Sequence, residues 1–170
     1  TTISLSCMGY ARPGCFITDG LVELGDENVL NKSLKELQTL RGKEITYVAQ
    51  SAAASFNGAM TINSQVTEIP IITKSMSRDE ALKKAEKLYK ALELPNPSSI
   101  GSRYPHQVSG GQLQRLMAAM AMISDPKLLI LVRLWVNVRR VHLLTLKQVL
   151  FIISLSRSLR FRQNLFVTEK

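Results

Sequence analysis

Apolar and polar residues first alternate regularly at Leu21-Val22-Glu23-Leu24, a period of two that predicts a half-buried strand ending at Gly25-Asp26. Upstream, Gly9, Pro13-Gly14 and Asp19-Gly20 interrupt any period, so residues 1–20 read as a ragged helix or strand followed by turns. Ser33-Leu34-Lys35-Glu36 has capping-box spacing and predicts a short helix through Leu40, stopped by Gly42. Ile45-Thr46-Tyr47-Val48 is β-branched and aromatic and predicts a strand that delivers Gln50 at its end. Residues 51–58 are small and polar and read as a loop; 61–73 read as a helix broken near Pro70.

A stronger helix starts at Ser77, with Glu80 three residues later, and places Ala81, Leu82, Ala85, Leu88, Tyr89 and Leu92 on one face. Lys83, Lys84, Glu86, Lys87 and Lys90 fall on the other face and read as solvated. Residues 94–108 read as a loop, 109–124 as a helix with Met117, Met120 and Met122 as core filler, and Leu128-Leu129-Ile130-Leu131 as a buried strand. Strands alternating with helices predict an α/β layer architecture.

Composition sharpens this picture at one position. The chain has 170 residues, 45% of them apolar, enough for one core. Its net charge of +9 is uneven: residues 1–132 hold 14 basic and 12 acidic residues, whereas 133–170 hold 8 basic residues and one acid, Glu169. All nine glycines and all six prolines precede Val132. The body is therefore nearly neutral, which weighs against a nucleic-acid binder, and the character of the chain changes at Val132. Cys7 and Cys15 lack metal-ligand spacing and read as free thiols in a reducing compartment, and no apolar run approaches the length of a spanning helix.

Candidate chemistry gathers at Ser109-Gly110-Gly111-Gln112, where a loop enters a helix. Unpaired backbone N–H groups and the helix dipole favour an anion there, glycines admit close approach, and Ser109 and Gln112 add donors. The same residues equally allow a serine N-cap with glycines that merely relax the turn.

Context separates these readings. Tyr104 to Leu131, YPHQVSGGQLQRLMAAMAMISDPKLLIL, resembles the signature helix and following strand of ABC transporter ATP-binding subunits. Within that family it is similar to the subunits that power dipeptide, oligopeptide and nickel importers. Tyr47-Val48-Ala49-Gln50 with Ser55-Phe56-Asn57 resembles the same group's Q-loop region, and the resemblance covers roughly residues 18–131.

The resemblance implies a partial P-loop NTPase-type α/β nucleotide-binding domain over 1–131, with a helical subdomain carrying the signature. It implies ATP and Mg²⁺ as cofactors, a second ABC ATPase domain and transmembrane permease subunits as partners, and a peripheral position on the cytoplasmic face of the inner membrane. Nucleic acid is not expected. In the family two such domains sandwich two ATP molecules, and the signature of one grips the γ-phosphate of ATP held by the other. That role falls to Ser109, Gly110, Gly111 and Gln112. The glutamine that reaches the metal and the attacking water and senses the membrane subunit maps to Gln50.

Three departures limit the catalytic expectation. No G-x-x-x-x-G-K-[ST] phosphate loop is present, and the chain reads as beginning just after one. Where the family places Mg²⁺-organising and water-orienting carboxylates, the sequence has Val132, Arg133, Leu134 and Trp135, so no metal ligand is identified. Leu165-Phe166-Val167-Thr168 resembles the strand that ends in the switch histidine, but Glu169 follows, and His106 and His142 read as loop and surface residues. Hydrolysis by this chain alone is not expected. Residues 132 to about 164 read as a disrupted stretch, such as a shifted reading frame, between two family-like pieces.

Two other functions compete. The tail, with Arg139, Arg140, Arg157, Arg160 and Arg162 beside Phe151, Phe161 and Phe166, suits a membrane-surface or nucleic-acid binder, although it lacks a clean polar face. The α/β body also suits a non-catalytic module that docks on a transporter subunit.

Overall fold

The structure is a computed structural model that describes residues 5–131, 159–161 and 166–169. In chain order its strands are β1 (Cys15–Asp19), β2 (Val22–Leu24), β3 (Glu27–Asn28), β4 (Ile45–Val48), β5 (Leu128–Leu131), β6 (Leu159–Phe161) and β7 (Phe166–Glu169). The helices are α1 (Leu34–Leu40), α2 (Ala52–Ser55), α3 (Ile62–Val66), α4 (Glu68–Ile72), α5 (Arg78–Ala91), α6 (Pro97–Ile100) and α7 (Gly110–Met122).

β4 and β5 pair in parallel, Ile45 opposite Leu128 through Val48 opposite Leu131, and the chain crosses from one to the other through the helices. That crossover is the α/β arrangement expected from the sequence. β2 lies between β3 and β6, and β1 pairs antiparallel with β7. The rest of the segment from 132 to 164 lies outside the described residues, as do Arg133, Trp135 and His142, so the disrupted-stretch reading and most of the tail-binding reading do too.

Two apolar cores meet at the β4–β5 pair. One, under the antiparallel strands, joins Val22, Leu24, Val29 and Leu37 to Ile45, Leu128 and Ile130. The other fills the helical region, where Val48 and Leu129 pack with Phe56, Ile62, Tyr89, Ile100, Leu116 and Met117. Each such side chain contributes roughly 1.5–3 kcal/mol on full burial. Alternate residues of β4 and β5 therefore anchor opposite cores: Ile45, Leu128 and Ile130 face one, Val48 and Leu129 the other.

Several expectations are refined by tertiary contacts. Ser33 caps α1 with Glu36 in a full capping box, and Gly42 adopts φ +80° just beyond the helix end. Residues 51–58, read as a loop, contain α2, capped by the Ser51 hydroxyl and held by burial of Ala52 and Phe56. The break in 61–73 falls at Thr67 (φ −92°, ψ 0°) and not at Pro70. Pro70 sits in the first turn of α4, where its missing N–H would have no intrahelical partner in any case. Lys84, read as solvated, pairs with Asp125 across to the far end of α7.

Candidate functional site

α7 begins at the signature. Ser109 is its N-cap (φ −71°, ψ 158°), and its hydroxyl oxygen accepts from the Gln112 backbone N–H at 3.3 Å. In return the Ser109 backbone N–H donates to Gln112 Oε1 at 2.9 Å. This reciprocal box leaves the Ser109 hydroxyl proton and the Gln112 side-chain NH₂ available to donate outward.

Gly110 and Gly111 occupy the first turn and are exposed. Neither has positive φ, and a Cβ built on either would meet nothing within 4 Å. Neither the backbone conformation nor the packing of this chain requires glycine there. In an interior helical position glycine costs about 0.5–1 kcal/mol relative to alanine. The first turn also carries no acidic residue, so the positive end of the helix dipole is not neutralised locally. A bare, uncovered, donor-rich helix end fits a phosphate.

Gln50 is exposed, in a bend just past the end of β4, beside the C-terminal end of the parallel β5. Its side chain makes no hydrogen bond among the described residues. In open α/β sheets this is the end where ligands bind. No hydrogen bond joins Gln50 to Ser109–Gln112, so within one chain they remain separate stations.

His106 is exposed in a 3₁₀ turn, Pro105–Gln107, its ring stacked on Tyr104 with centroids 5.7 Å apart. Cys7 and Cys15 form no disulfide with each other, and burial raises the Cys7 thiol pKa to about 11, which keeps it protonated near neutral pH. Among the described residues no group of three or more His, Cys, Asp or Glu could hold a metal ion. The residues at this helix end therefore fit the phosphate part of ATP. No helix among the described residues is long and apolar enough to cross a membrane.

Two residues to which sequence reading gave no role fasten segments nearby. The buried Gln65 amide brackets Asn57: Asn57 N–H donates to Gln65 Oε1 at 2.7 Å, and Gln65 Nε2 donates to the carbonyls of Asn57 at 3.0 Å and Met60 at 3.1 Å. It fastens the loop after Ser55-Phe56-Asn57. Arg115, on α7, donates from Nη1 to the Glu93 carbonyl at 2.7 Å and the Leu92 carbonyl at 3.3 Å. The Arg115 contacts span more than twenty positions, and no periodicity announces either set.

The oligopeptide transport ATP-binding protein AppD of Bacillus subtilis (strain 168) is 36% identical over 128 residues, covering 75% of this chain and 39% of its own length. The oligopeptide transport ATP-binding protein OppD of Salmonella typhimurium is 34% identical over 125 residues, covering 71% of this chain and 37% of its own. The chain thus spans less than two fifths of the length of these relatives. Among solved structures, the ATP-binding cassette MJ0796, in a dimeric post-hydrolysis state bound to ADP and Pi, matches with a TM-score of 0.58 at 27% identity, over 67% of this chain and 48% of that one. The family model described as ABC transporter matches residues 1–131, and on that match the chain belongs to the ABC transporter family.

Proposed function

We propose that Ser109, Gly110, Gly111 and Gln112 receive the γ-phosphate of ATP held by a second ABC ATPase domain. On this reading the chain serves a nucleotide-sandwich dimer that energises an importer for peptides or nickel. The observation that carries the proposal is the first turn of α7: two exposed glycines that the fold does not need, with no acid near the helix end. Backbone N–H groups there meet the phosphate, the Ser109 hydroxyl donates to one of its oxygens, and Gln112 holds Ser109 while offering its amide. Charge developing on the transferred group would be met by fixed donors, the largest source of catalysis in such transfers.

Gln50, on this reading, reaches toward the nucleotide of its own domain and toward the permease. ATP with Mg²⁺, when bound, supplies the phosphoryl group whose transfer drives the cycle. Transmembrane permease subunits are the partners that place the domain at the cytoplasmic face of the membrane. The chain alone does not turn ATP over, because the sequence contains no G-x-x-x-x-G-K-[ST] loop.

The test mixes the 170-residue chain with an intact oligopeptide-importer ATP-binding domain and follows association by analytical ultracentrifugation. A complex is expected with ATP and not with ADP or without nucleotide. A chain that fails to associate in a nucleotide-dependent way, or one that hydrolyses ATP unaided, would overturn the proposal.

A further inference from the structure

We propose that Arg115 is a positioning residue for the signature: its guanidinium clamps the first turn of α7 to the C-terminal end of α5 and so aims the helix end that carries Ser109 to Gln112. The inference rests on the reading of that helix end as the partner-facing phosphate site.

Arg115 reaches both helices at once. Its Nε donates to the Gly111 carbonyl at 3.3 Å, inside the signature itself. Its Nη1 donates to the carbonyls of Leu92 and Glu93, immediately after the last turn of α5. Glu93 has φ +53°, and at this reversal two successive carbonyls converge on one guanidinium nitrogen. Carbonyls at the end of a helix lack intrahelical donors, and a cation there is favoured by the helix dipole.

Apolar packing cannot do this aiming alone. Leu88 and Leu92 share a core with Leu113, Leu116 and Met117, which draws the helices together, but burial of apolar surface is non-directional. Hydrogen bonds from a planar fork fix rotation as well as separation, and a lysine ammonium offers no such fork. The pair Lys84–Asp125 joins α5 to the turn beyond the far end of α7, away from the signature, and its carboxylate is largely exposed. Arg115 is the charged contact next to the signature, and it touches no reacting group.

The test uses Arg115→Met and Arg115→Lys in the 170-residue chain, with three readouts. These are thermal unfolding, hydrogen exchange of the Gln112 and Leu113 amides, and the ATP concentration at half-maximal association with an intact oligopeptide-importer ATP-binding domain. Arg115→Met is expected to speed exchange at both amides and to raise the half-maximal ATP concentration about tenfold, with the maximal extent of association unchanged. Arg115→Lys is expected to recover the melting temperature but neither exchange protection nor ATP sensitivity.

Wild-type exchange rates at Gln112 and Leu113 in the Met variant would overturn the inference, as would full recovery of both signature readouts by Lys. Should Arg115→Met fail to fold, Arg115→Lys decides alone. Should the wild-type chain show no ATP-dependent association, the partner-site reading fails, while exchange at Gln112 and Leu113 still decides whether Arg115 positions that helix end.

Discussion

α5 and α7 begin with the same two hydrogen bonds and then part company. Ser77 and Glu80 form one capping box, Ser109 and Gln112 the other, each with the serine oxygen accepting from the third residue's N–H and that residue's side chain accepting from the serine N–H. After Ser77 come Arg78, Asp79 and Glu80, good helix formers and acids that neutralise the dipole. After Ser109 come Gly110, Gly111 and Gln112, with no charge and no side-chain cover. The Ser77 hydroxyl, then its backbone N–H, holds the Glu80 carboxyl below the usual carboxylate range, so the α5 end is closed on itself. One first turn is built for the stability of this chain, the other leaves its donors free for something outside it.

The contrast among glycines gives the largest expected effect. A Cβ at Gly101 would lie 1.9 Å from Asn63 Oδ1, which accepts the buried Tyr89 hydroxyl at 2.9 Å. Asn63 cannot yield without leaving that hydroxyl unpaired, so Gly101→Ala should cost about 2–3 kcal/mol by urea unfolding. A loss below about 0.5 kcal/mol would show that Gly101 is no more constrained than Gly110.

Smaller effects separate the two boxes. Ser77→Ala should cost about 1 kcal/mol in stability and leave ATP-dependent association with an intact ATP-binding domain unchanged. Ser109→Ala should abolish that association; equal behaviour of the two variants would dissolve the distinction between the helix ends. Acid should do the same sorting without mutation. Because the folded pKa of Glu80 is depressed, its contribution is present above the ordinary carboxylate pKa and is lost as pH falls through the folded value. Gln112 does not titrate. Hydrogen exchange at the first turn should therefore quicken on acidification at α5 relative to α7 once intrinsic rates are divided out. Smallest is Lys84→Met, which removes an exposed pair and should change stability by at most about 1 kcal/mol.

What could be read in advance was local. Ser33 and Ser77 announce their helices because a cap and its partner lie three residues apart. The alternation of Leu21–Leu24 and the β-branched run of Ile45–Val48 announce β2 and β4 in the same way. What stayed hidden depends on distant partners. β1 was obscured by the turn residues around it and owes its pairing to β7, at the far end of the chain. α2 is too short to show a period and is held by burial of Ala52 and Phe56. Ser109 to Gln112 were singled out by resemblance alone, and Arg115, beside them on α7, reaches across more than twenty positions to Leu92 and Glu93.

The central claim is that Gly110 and Gly111 serve a ligand outside this fold and not the fold itself. Replacing both with alanine and measuring stability and association on the same sample tests it most directly. With open space at both Cβ positions, the double variant should be more stable than the wild type by roughly 1 kcal/mol while its ATP-dependent association with an intact ATP-binding domain is lost. A variant that unfolds more easily, or one that still associates at the wild-type ATP concentration, would contradict the account.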